Sequence, residues 1–379
     1  MSHLSFRSRT LHDRTLDIPQ LSDEVRVPAP PGSWRLAWRW PVAEPRWASV
    51  LVERRSVIAN LLLTVVLLLS SLMYLAVGSV VLGPLELLAV LRGEGDMVAA
   101  FMVHELRLPR LTAAWLTGAA FAVAGCLMQT LARNRLATPG IIGIDNGATA
   151  FAVASVVGIS VSLAPPAMAL MGAATAAAIT FGLAVGGGTR GYRFIVAGIG
   201  VGAVFGAITQ LLLARVGIDT ANAAYPWTIG TLNARPANAM VVLAVGLAIG
   251  LLLAMWLSRS LSLMRFSDAV AQGLGIVIQR RRWQVLTVSV LLTGLAVAVA
   301  GPVGMVGLIG PEIARSLSSR RGVPIIGSAL AGALVMVLSD LVGRVLLAPI
   351  ELPVGIVTAV VGGPWLLWIL LRPASRNLV

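Results

Sequence analysis

Long apolar runs without a charged residue alternate with short polar segments along most of this chain. Residues 56–84, 111–132 and 146–189 contain no Asp, Glu, Arg or Lys. A helix that crosses a lipid bilayer needs about 20 apolar residues. The first two runs are therefore long enough for one crossing each, and the third is long enough for two, with a turn at the Ala-Pro-Pro of residues 164–166. This pattern predicts an α-helical protein that crosses the membrane several times.

Five further apolar runs and one short segment complete the predicted topology. The runs are residues 194–214, 237–257, 283–303, 322–339 and 352–371. The Gly-rich stretch 304–315 is short for a crossing, but without it Arg315, Arg320 and Arg321 would lie outside. Arg tends to stay on the cytoplasmic side of a membrane. We therefore expect this stretch to cross as well, which gives ten transmembrane helices with both termini in the cytoplasm.

Several of the predicted helices are interrupted by Gly or Pro. Backbone at membrane depth must be satisfied inside the protein or line a cavity, so such breaks point to a transport pathway. The predicted pathway residues in these breaks are Gly301, Pro302, Gly304, Gly307, Pro353 and Gly355. A further interruption at residues 225–230 has two interpretations, a re-entrant or interfacial piece and an outer loop anchored by Tyr225 and Trp227. Both remain open at this stage.

The composition agrees with a membrane protein. Of the 379 residues, 57% are hydrophobic and only 12% are charged, whereas about 25% are charged in soluble domains. The net charge is +13, and Arg carries all of the basic charge because the chain contains no Lys. A soluble protein with this charge would suggest nucleic acid binding. Here the arginines cluster in short loops between apolar runs, which is typical of residues that set membrane orientation.

Residues 1–55 form a polar, Arg- and Pro-rich segment that precedes the first apolar run. We predict a disordered cytoplasmic tail here and place the membrane domain at residues 56–379. No cleavable signal peptide is expected, since its apolar core would lie nearer the start. An alternative is that part of the tail lies on the membrane surface through its aromatic residues, which are Trp34, Trp38, Trp40 and Trp47.

The chemistry-bearing residues do not suggest an enzyme. The single cysteine, Cys126, lies in an apolar run and predicts neither a disulfide nor a thiolate metal site. The three histidines, His3, His12 and His104, are scattered. The chain contains no GxxxxGK[ST] phosphate loop. We therefore expect no catalytic residue, no metal and no bound cofactor.

The polar connection 258–282 contains a short predicted helix. Ser267 or Asp268 would cap its start, and Gly273 or Gly275 would end it. Phe266, Val270 and Leu274 repeat at intervals of four and form one apolar face. From its chemistry alone, this face packs against lipid, against the chain itself or against a partner protein.

Four motifs in the same order resemble the FecCD-type permeases of ABC importers for iron-siderophores, heme and cobalamin. Residues 107–110 match the RLPR of that family, and residues 133–147 (RNRLATPGIIGIDNG) resemble RNPLAxPxxLGxxxGA. Residues 300–308 (AGPVGMVGL) are similar to AGPIGFVGL, and residues 351–359 (ELPVGIVTA) are similar to ELPVGVVTA. The resemblance covers residues 56–372, which is nearly all of the chain except the tail.

The resemblance implies a type II ABC importer permease fold with short broken helices. It also implies a homo- or heterodimer, two ATPase subunits that use ATP on separate chains, and an extracytoplasmic substrate-binding lipoprotein. The segment that corresponds to the family's ATPase coupling helix includes Phe266, Asp268, Val270, Gln272, Gly273, Leu274 and Gly275. By the same match, the arginines expected to dock the binding protein are Arg107, Arg110 and Arg344. Their alternative is interfacial snorkelling.

Three positions depart from the family pattern. Glu312 stands where His is common, Arg135 where Pro is common, and Asp145 where Ser is common. The resemblance implies a plasma-membrane importer whose cargo is a metal chelate, with a ferric siderophore as the commonest case and heme or cobalamin as alternatives. The rival class is an ion-coupled secondary transporter, for which Asp145 and Asp340 are the candidate acids. We interpret both acids instead as helix caps or loop contacts at the membrane boundary.

Overall fold

A computed structural model describes residues 32–39, 47–78, 80–158, 163–183, 192–233, 236–319 and 322–371. The chain forms two units, Met1–Arg54 and Arg55–Val379. Arg320 and Arg321, which entered the topology argument, lie outside the described residues, as do Arg190, Arg235, Arg372 and Arg376.

The N-terminal unit contains two antiparallel strands, β1 (Ser33–Arg39) and β2 (Trp47–Glu53), with Ser33 opposite Glu53. The sequence analysis did not anticipate this pair, although aromatic and β-branched residues such as Trp34, Val50 and Val52 favour strands. Residues 1–31 and 40–46 of the predicted tail lie outside the described residues. Disorder of the tail therefore stays a prediction.

The remainder of the described chain is helical. Its elements are α1 (Arg54–Ala76), α2 (Pro84–Leu91), α3 (Met97–Phe101), a π-helical segment (Met102–Arg107), α4 (Leu108–Ala132), a 3₁₀ turn (Pro139–Ile142), α5 (Ile144–Val157), α6 (Pro165–Leu183), α7 (Tyr192–Ala214), α8 (Ile218–Ala224), α9 (Pro226–Ile229), α10 (Ala237–Met264), α11 (Asp268–Gly273), α12 (Ile278–Ala300), α13 (Val306–Leu317), α14 (Ile325–Val345) and α15 (Val354–Leu371).

Within the described residues, seven helices are long and apolar enough to cross a membrane. Two shorter apolar helices, Ile144–Val157 and Val354–Trp368, accompany them, as does the 12-residue α13. The multi-pass helical architecture is confirmed, while the count of ten crossings stays a prediction.

The second long helix begins much earlier than its apolar run. Met97–Ala132 forms one continuous stretch of 36 residues, whereas the hydropathy pattern marked only residues 111–132. Residues 102–107 are π-helical just before Pro109. Because Pro109 has no N–H, the carbonyl of Glu105 has no donor four residues later, and the wider turn lies at this position. The RLPR motif therefore lies inside a helix.

The core of the bundle forms around α4. Its side chains are mostly buried, with Ala113, Ala114 and Ala120 fully enclosed. Small residues let helix backbones approach closely in a membrane, and α4 packs in this way against α12, α13 and α14. By contrast, α1 and α10 expose most of their apolar surface, as expected for helices that face lipid.

Interhelical hydrogen bonds define two ends of the bundle. At one end, which we call the α11 end, Arg55 at the start of α1 donates to the carbonyl of Leu317 (3.0 Å), and Arg133 after α4 donates to the carbonyl of Met264 (2.9 Å). At the opposite end, the hydroxyl of Tyr74 donates to Asp340 (2.6 Å). Helix α14 runs from the first end to the second.

The arginine distribution follows these two ends. With ten crossings and a cytoplasmic N-terminus, the segments that carry Arg133, Arg135, Arg265, Arg282 and Arg315 are expected on the cytoplasmic side. All five arginines make contacts at the α11 end. Arg107, Arg110 and Arg344 make theirs at the opposite end. The structure therefore separates the two groups as the predicted topology requires.

Candidate functional site

Three helix breaks meet at one place inside the bundle, and we call this place the break junction (residues 229–231, 300–303 and 353–355). The amide of Thr231 donates to the carbonyl of Ala300 (2.7 Å), and the amide of Gly355 donates to the carbonyl of Gly230 (3.2 Å). Backbone groups released by the broken helices thus pair with one another. This arrangement satisfies the rule that irregular backbone at membrane depth must be enclosed in protein.

Two glycines make the junction sterically possible. Gly301 has φ = 75°, a conformation that lets the chain leave α12 sharply. Gly355 lies so close to α9 that an added Cβ would overlap the carbonyl oxygen of Ile229. Any side chain at position 355 must therefore displace backbone.

The 225–230 segment packs into this junction. Trp227 is 8% exposed, and Ala224 before it is fully buried. This packing favours the interpretation as an inserted piece over an open outer loop. Gly230 and Thr231 were absent from the predicted pathway set, although the Pro226–Gly230 interruption was the signal that could have identified them.

The other predicted pathway residues lie at or near the junction. The carbonyl of Pro302 would lie 2.7 Å from a Cβ on Gly230, and the carbonyl of Pro353 accepts the amide of Ile356 (3.0 Å) at the start of α15. Gly307 lies in α13 against α4, where an added Cβ would be 3.2 Å from the carbonyl oxygen of Phe121. Gly304 lies in the turn before α13.

Asp145 lies in the first turn of α5, next to the turn that carries Gly304. A Cβ on Gly304 would be 3.6 Å from its Oδ2 atom. Its Oδ1 atom is buried and has no hydrogen-bond partner among the described residues. The expected helix cap is not formed, since the cap position is Gly143 and no side-chain cap bond is present. The helix dipole favours a carboxylate at this position.

Arg107 is a buried residue. It is 4% exposed, and its guanidinium donates to the carbonyls of Leu75, Ala76 and Val80. These carbonyls lie at the end of α1 and just after it, where the helix leaves them without intrahelical donors. Arg107 therefore closes the end of α1 in this structure, and its docking role stays a prediction.

Arg110 and Asp340 form a buried ion pair that includes Tyr74. Arg110 donates to both carboxylate oxygens of Asp340, at 2.8 and 3.0 Å, and its third donor reaches Glu351 (2.7 Å). The Asp340 side chain is 0% exposed, while that of Glu351 is 47% exposed. The network joins α1, α4 and α14. The sequence analysis interpreted Asp340 as a helix cap or loop contact at the membrane boundary. In the structure it lies inside α14 and pairs with side chains of two other helices.

Arg344 lies beside this network. Its guanidinium is 4.6 Å from the centre of the Tyr74 ring, and Nη2 donates to the carbonyl of Val77 (3.2 Å). Its Nη1 atom is buried and has no partner among the described residues. All three arginines that were predicted to dock a binding protein therefore make contacts within the permease itself.

At the α11 end, a short helix presents an apolar surface, which we call the α11 surface (Phe266, Val270, Leu274 and Val277). These side chains are 61%, 48%, 59% and 66% exposed. The hydroxyl of Ser267 accepts the amide of Val270 (3.3 Å) and caps the helix start. Ala271 is buried against Met264 and Ile278. The predicted short helix is present as Asp268–Gly273, with Phe266 just before it and Leu274 at its end. Gln272, Gly273 and Gly275 are exposed beside the apolar residues.

Asp268 fixes this helix to the bundle. Its carboxylate pairs with Arg133 (3.1 Å), which follows α4, and with Arg282 (2.8 Å), which belongs to α12. Arg282 is 8% exposed, whereas the side chain of Asp268 is 30% exposed, so the second pair is partly buried. The Asp268–Arg282 pair therefore links α11 to α12, whose other end is Ala300 at the break junction.

Two of the departures from the family pattern pair with each other. Arg135 donates to Glu312 at 2.9 Å, and Arg315 donates to the other oxygen of Glu312 at 3.2 Å. Arg315 also donates to Gln129, whose amide donates to the carbonyl of Gly307 (3.3 Å). The substitution of Pro by Arg at position 135 is therefore matched by an acid at position 312, and α13 is tied to the loop after α4.

We expect the Arg135→Glu variant to be less stable than the wild type and the Arg135→Glu/Glu312→Arg double variant to recover part of the loss. Arg135 is 68% exposed, so the coupling should be about 0.2–1 kcal/mol. A double-mutant cycle on the melting temperature measures it. Additive single effects would show that the pair contributes nothing.

Comparisons with known proteins agree with this architecture. Residues 63–372 match the family model of the FecCD transport family. The achromobactin transport system permease protein CbrC of Dickeya dadantii is 36% identical, with 82% of this chain and 90% of the relative covered. The ferric enterobactin transport system permease protein FepG of Escherichia coli is 33% identical, with 86% and 100% covered.

Among solved structures, the fold resembles a chain assigned to the metal-chelate type of ABC transporter in an inward-facing conformation. The TM-score is 0.72 at 24% identity, and the match covers 84% of this chain and 100% of the other. At this identity the likeness concerns the fold alone.

Proposed function

Because the chain belongs to the FecCD transport family, we propose that it is the permease subunit of an ATP-driven importer that moves a metal chelate across the plasma membrane, with a ferric siderophore as the expected cargo. The single observation that supports this most strongly is the α11 surface. Four large apolar side chains lie exposed on a polar connection outside the spans, and an ion pair of Asp268 and Arg282 links them to the bundle. Such a patch is typical of a protein interaction site.

The proposed mechanism is alternating access driven from the α11 end. Two separate ATPase subunits hydrolyse ATP and move α11, since the permease is not itself an enzyme. The motion passes through Asp268 to α4 and α12. At the far end of α12, the break junction changes its packing, because Gly230 lies after the end of α9 and the amide of Gly355, in the first turn of α15, bonds to Gly230 and not to its own helix. The pathway then opens alternately on the two sides.

The expected assembly contains a second permease subunit, the two ATPases and an extracytoplasmic binding lipoprotein. We place the α11 end and both termini in the cytoplasm, since Arg is retained on that side. Binding of the lipoprotein is proposed for the opposite end, near Arg344. Arg107 and Arg110 have enclosed partners, so a docking role would require them to exchange those partners. Their present contacts favour a role in holding α1, α4 and α14 together.

We expect Val270→Asp to abolish ATPase binding without unfolding the permease. Val270 is 48% exposed, so the substitution does not disturb the core, but an uncompensated charge at an apolar contact is costly. A loss of 1.4 kcal/mol already weakens binding by about tenfold. Copurification of the ATPase with the tagged permease measures the effect.

The matched control for Val270→Asp is Asn238→Asp, which adds the same charge at the exposed start of α10. This control should leave ATPase binding unchanged. Equal ATPase binding by the Val270→Asp variant and the wild type would contradict the proposed coupling surface.

The proposal as a whole is tested by uptake into proteoliposomes that contain the permease with its ATPase. Labelled ferric siderophore, heme and cobalamin are compared, and the ion gradients are then collapsed. We expect ATP-dependent uptake of one chelate that survives the collapse. Uptake that needs an ion gradient and no ATP would instead favour the secondary transporter, for which the enclosed carboxylate oxygen of Asp145 is the supporting observation.

A further inference from the structure

The N-terminal unit contains a two-stranded ribbon with one apolar face, and we call it the N-terminal ribbon (residues 33–39 and 47–53). Successive residues of a strand lie on opposite faces, and residues that pair directly across two antiparallel strands share a face. One face of the ribbon therefore consists of three apolar pairs, which are Trp34 with Val52, Leu36 with Val50 and Trp38 with Ala48. This alternation with a period of two predicts that the apolar face is covered in the folded protein.

The opposite face of the ribbon is largely polar and carries net positive charge. Its four pairs are Ser33 with Glu53, Arg35 with Leu51, Ala37 with Ser49 and Arg39 with Trp47. Two arginines outnumber the single glutamate on this face. The two faces thus differ in chemistry, as in a structure that lies at a boundary between water and an apolar surface.

The apolar face needs a cover that the sheet itself does not supply. A two-stranded ribbon is at best marginally stable in water unless its apolar face packs against something else. In the described part of the chain, the sheet contains only β1 and β2. The ribbon also lies before residue 63, where the match to the FecCD family begins. The family resemblance therefore implies no partner for this face.

The chain joins the ribbon to a helix that faces lipid. β2 ends at Glu53, and α1 begins at the next residue, Arg54. Helix α1 is among the helices that are long and apolar enough to cross a membrane, and its exposed apolar residues begin at Val57 (36%) and Ile58 (62%). Only a few residues, each adding at most about 3.6 Å, separate the ribbon from this lipid-facing surface. The ribbon is therefore tethered at the edge of the bilayer.

The residue types of the ribbon match the chemistry of a bilayer surface. Trp is enriched where the headgroups meet the hydrocarbon, because its ring is amphipathic, and Trp34 and Trp38 both belong to the apolar face. Basic residues close to a membrane surface are attracted by anionic lipids. Arg35 and Arg39 on the polar face supply this charge.

We propose that the N-terminal ribbon lies on the anionic phospholipid surface beside α1, with its apolar face toward the acyl chains and Arg35 and Arg39 near the phosphate groups. In the orientation proposed above, this surface belongs to the cytoplasmic leaflet. The ribbon then anchors the segment that leads into α1. Two other covers for the same face are the helical bundle and a second copy of the chain, and the test distinguishes both from lipid.

The test places a nitroxide spin label at one of four consecutive residues of β1 in the full-length chain, reconstituted in vesicles of phosphatidylcholine and phosphatidylglycerol. The four variants are Arg35→Cys, Leu36→Cys, Ala37→Cys and Trp38→Cys. Collision of the label with oxygen, which concentrates in lipid, is compared with its collision with a water-soluble nickel complex. We expect oxygen to dominate at Leu36 and Trp38 and nickel to dominate at Arg35 and Ala37, so that the ratio alternates with a period of two.

Three controls calibrate the labels. The wild type is the labelling blank, because its single cysteine, Cys126, is buried. Leu252→Cys, on α10 and 65% exposed, is the reference for lipid. Gln272→Cys, exposed beside the α11 surface, is the reference for water. In vesicles of phosphatidylcholine alone, the oxygen excess at Trp38→Cys should decrease, because the anionic headgroups are absent.

Tryptophan fluorescence tests the same face without a label. The difference between the emission of the wild type and that of Trp34→Phe/Trp38→Phe isolates the two residues, and brominated lipids should quench it. Low collision with both reagents at Leu36→Cys and Trp38→Cys would place this face against protein and overturn the proposal. Nickel-dominated collision at all four positions, or an unquenched difference spectrum, would place it in water and do the same. An oxygen excess that is unchanged in phosphatidylcholine alone would contradict the anionic surface.

Discussion

A Gly355→Ala variant is expected to lose chelate uptake and much of its thermal stability. The added methyl group would overlap the carbonyl oxygen of Ile229 and would also lie 3.4 Å from that of Gly230. Both atoms are backbone, so neither can rotate away as a side chain would. Overpacking typically costs about 1–3 kcal/mol. Here the displacement would also break the bond from the amide of Gly355 to Gly230.

The control for Gly355→Ala is Gly363→Ala, on the same helix. A Cβ at Gly363 meets no atom within 4 Å, so this variant should match the wild type in melting temperature and uptake. Both changes add one methyl group to α15 and alter its helix propensity equally. A difference in melting temperature or uptake between the two variants therefore measures the effect of the close approach at the break junction. A Gly355→Ala variant with wild-type stability and uptake would show that the junction does not need this close approach.

An Asp340→Ala variant is expected to destabilise the fold more than any surface charge change. Asp340 is 0% exposed and accepts hydrogen bonds from Arg110 and Tyr74. Its removal leaves Arg110 with its exposed partner Glu351 and leaves the hydroxyl of Tyr74 without its acceptor. Breaking a buried pair by removal of one partner costs about 3–5 kcal/mol. Thermal melting of the purified chain in detergent measures the loss.

Two further variants separate ion pairing from packing at this site. Arg110→Leu/Asp340→Leu replaces both charges by apolar groups, and such replacements are often neutral or stabilising. It should therefore be more stable than Asp340→Ala. Glu351→Gln changes the exposed partner and should alter stability by about 1 kcal/mol at most. If Asp340→Ala melted like Glu351→Gln, the buried network would have no structural role.

The positions of the main helices could be predicted from the sequence because the bilayer imposes a local requirement. A run of uncharged apolar residues has to be helical to satisfy its own backbone. Each of α1, α10, α12 and α14 overlaps its predicted run, with ends that differ by up to eight residues. The apolar face of Phe266, Val270 and Leu274 is likewise local, since three residues four apart share one side of a helix. In the structure these three side chains are exposed, which excludes packing of this face against the described part of the chain itself.

The start of the second long helix could not be predicted from hydropathy. His104, Glu105, Arg107 and Arg110 interrupt the apolar pattern, so hydropathy placed the helix start at residue 111. The helix continues through Arg107 and Arg110 because the partners of these two arginines lie outside their own helix. Arg107 binds carbonyls at the end of α1, and Arg110 binds an acid on α14. In a hydropathy pattern a charged residue marks the end of an apolar run, and the pattern carries no information about a partner on another helix.

The sequence by itself determined a multi-pass helical membrane protein, its family motifs and an amphipathic helix on a polar connection, since each depends on residues that are neighbours along the chain. Only the tertiary structure decided which helix breaks lie next to each other. It shows a backbone hydrogen bond between Gly355 and Gly230 and an ion pair between Arg135 and Glu312, residues that are far apart in the sequence. It also distinguished Gly355, pressed against a carbonyl, from the unhindered Gly363 on the same helix. Hydropathy is a property of one segment, whereas these contacts depend on how two distant segments approach each other.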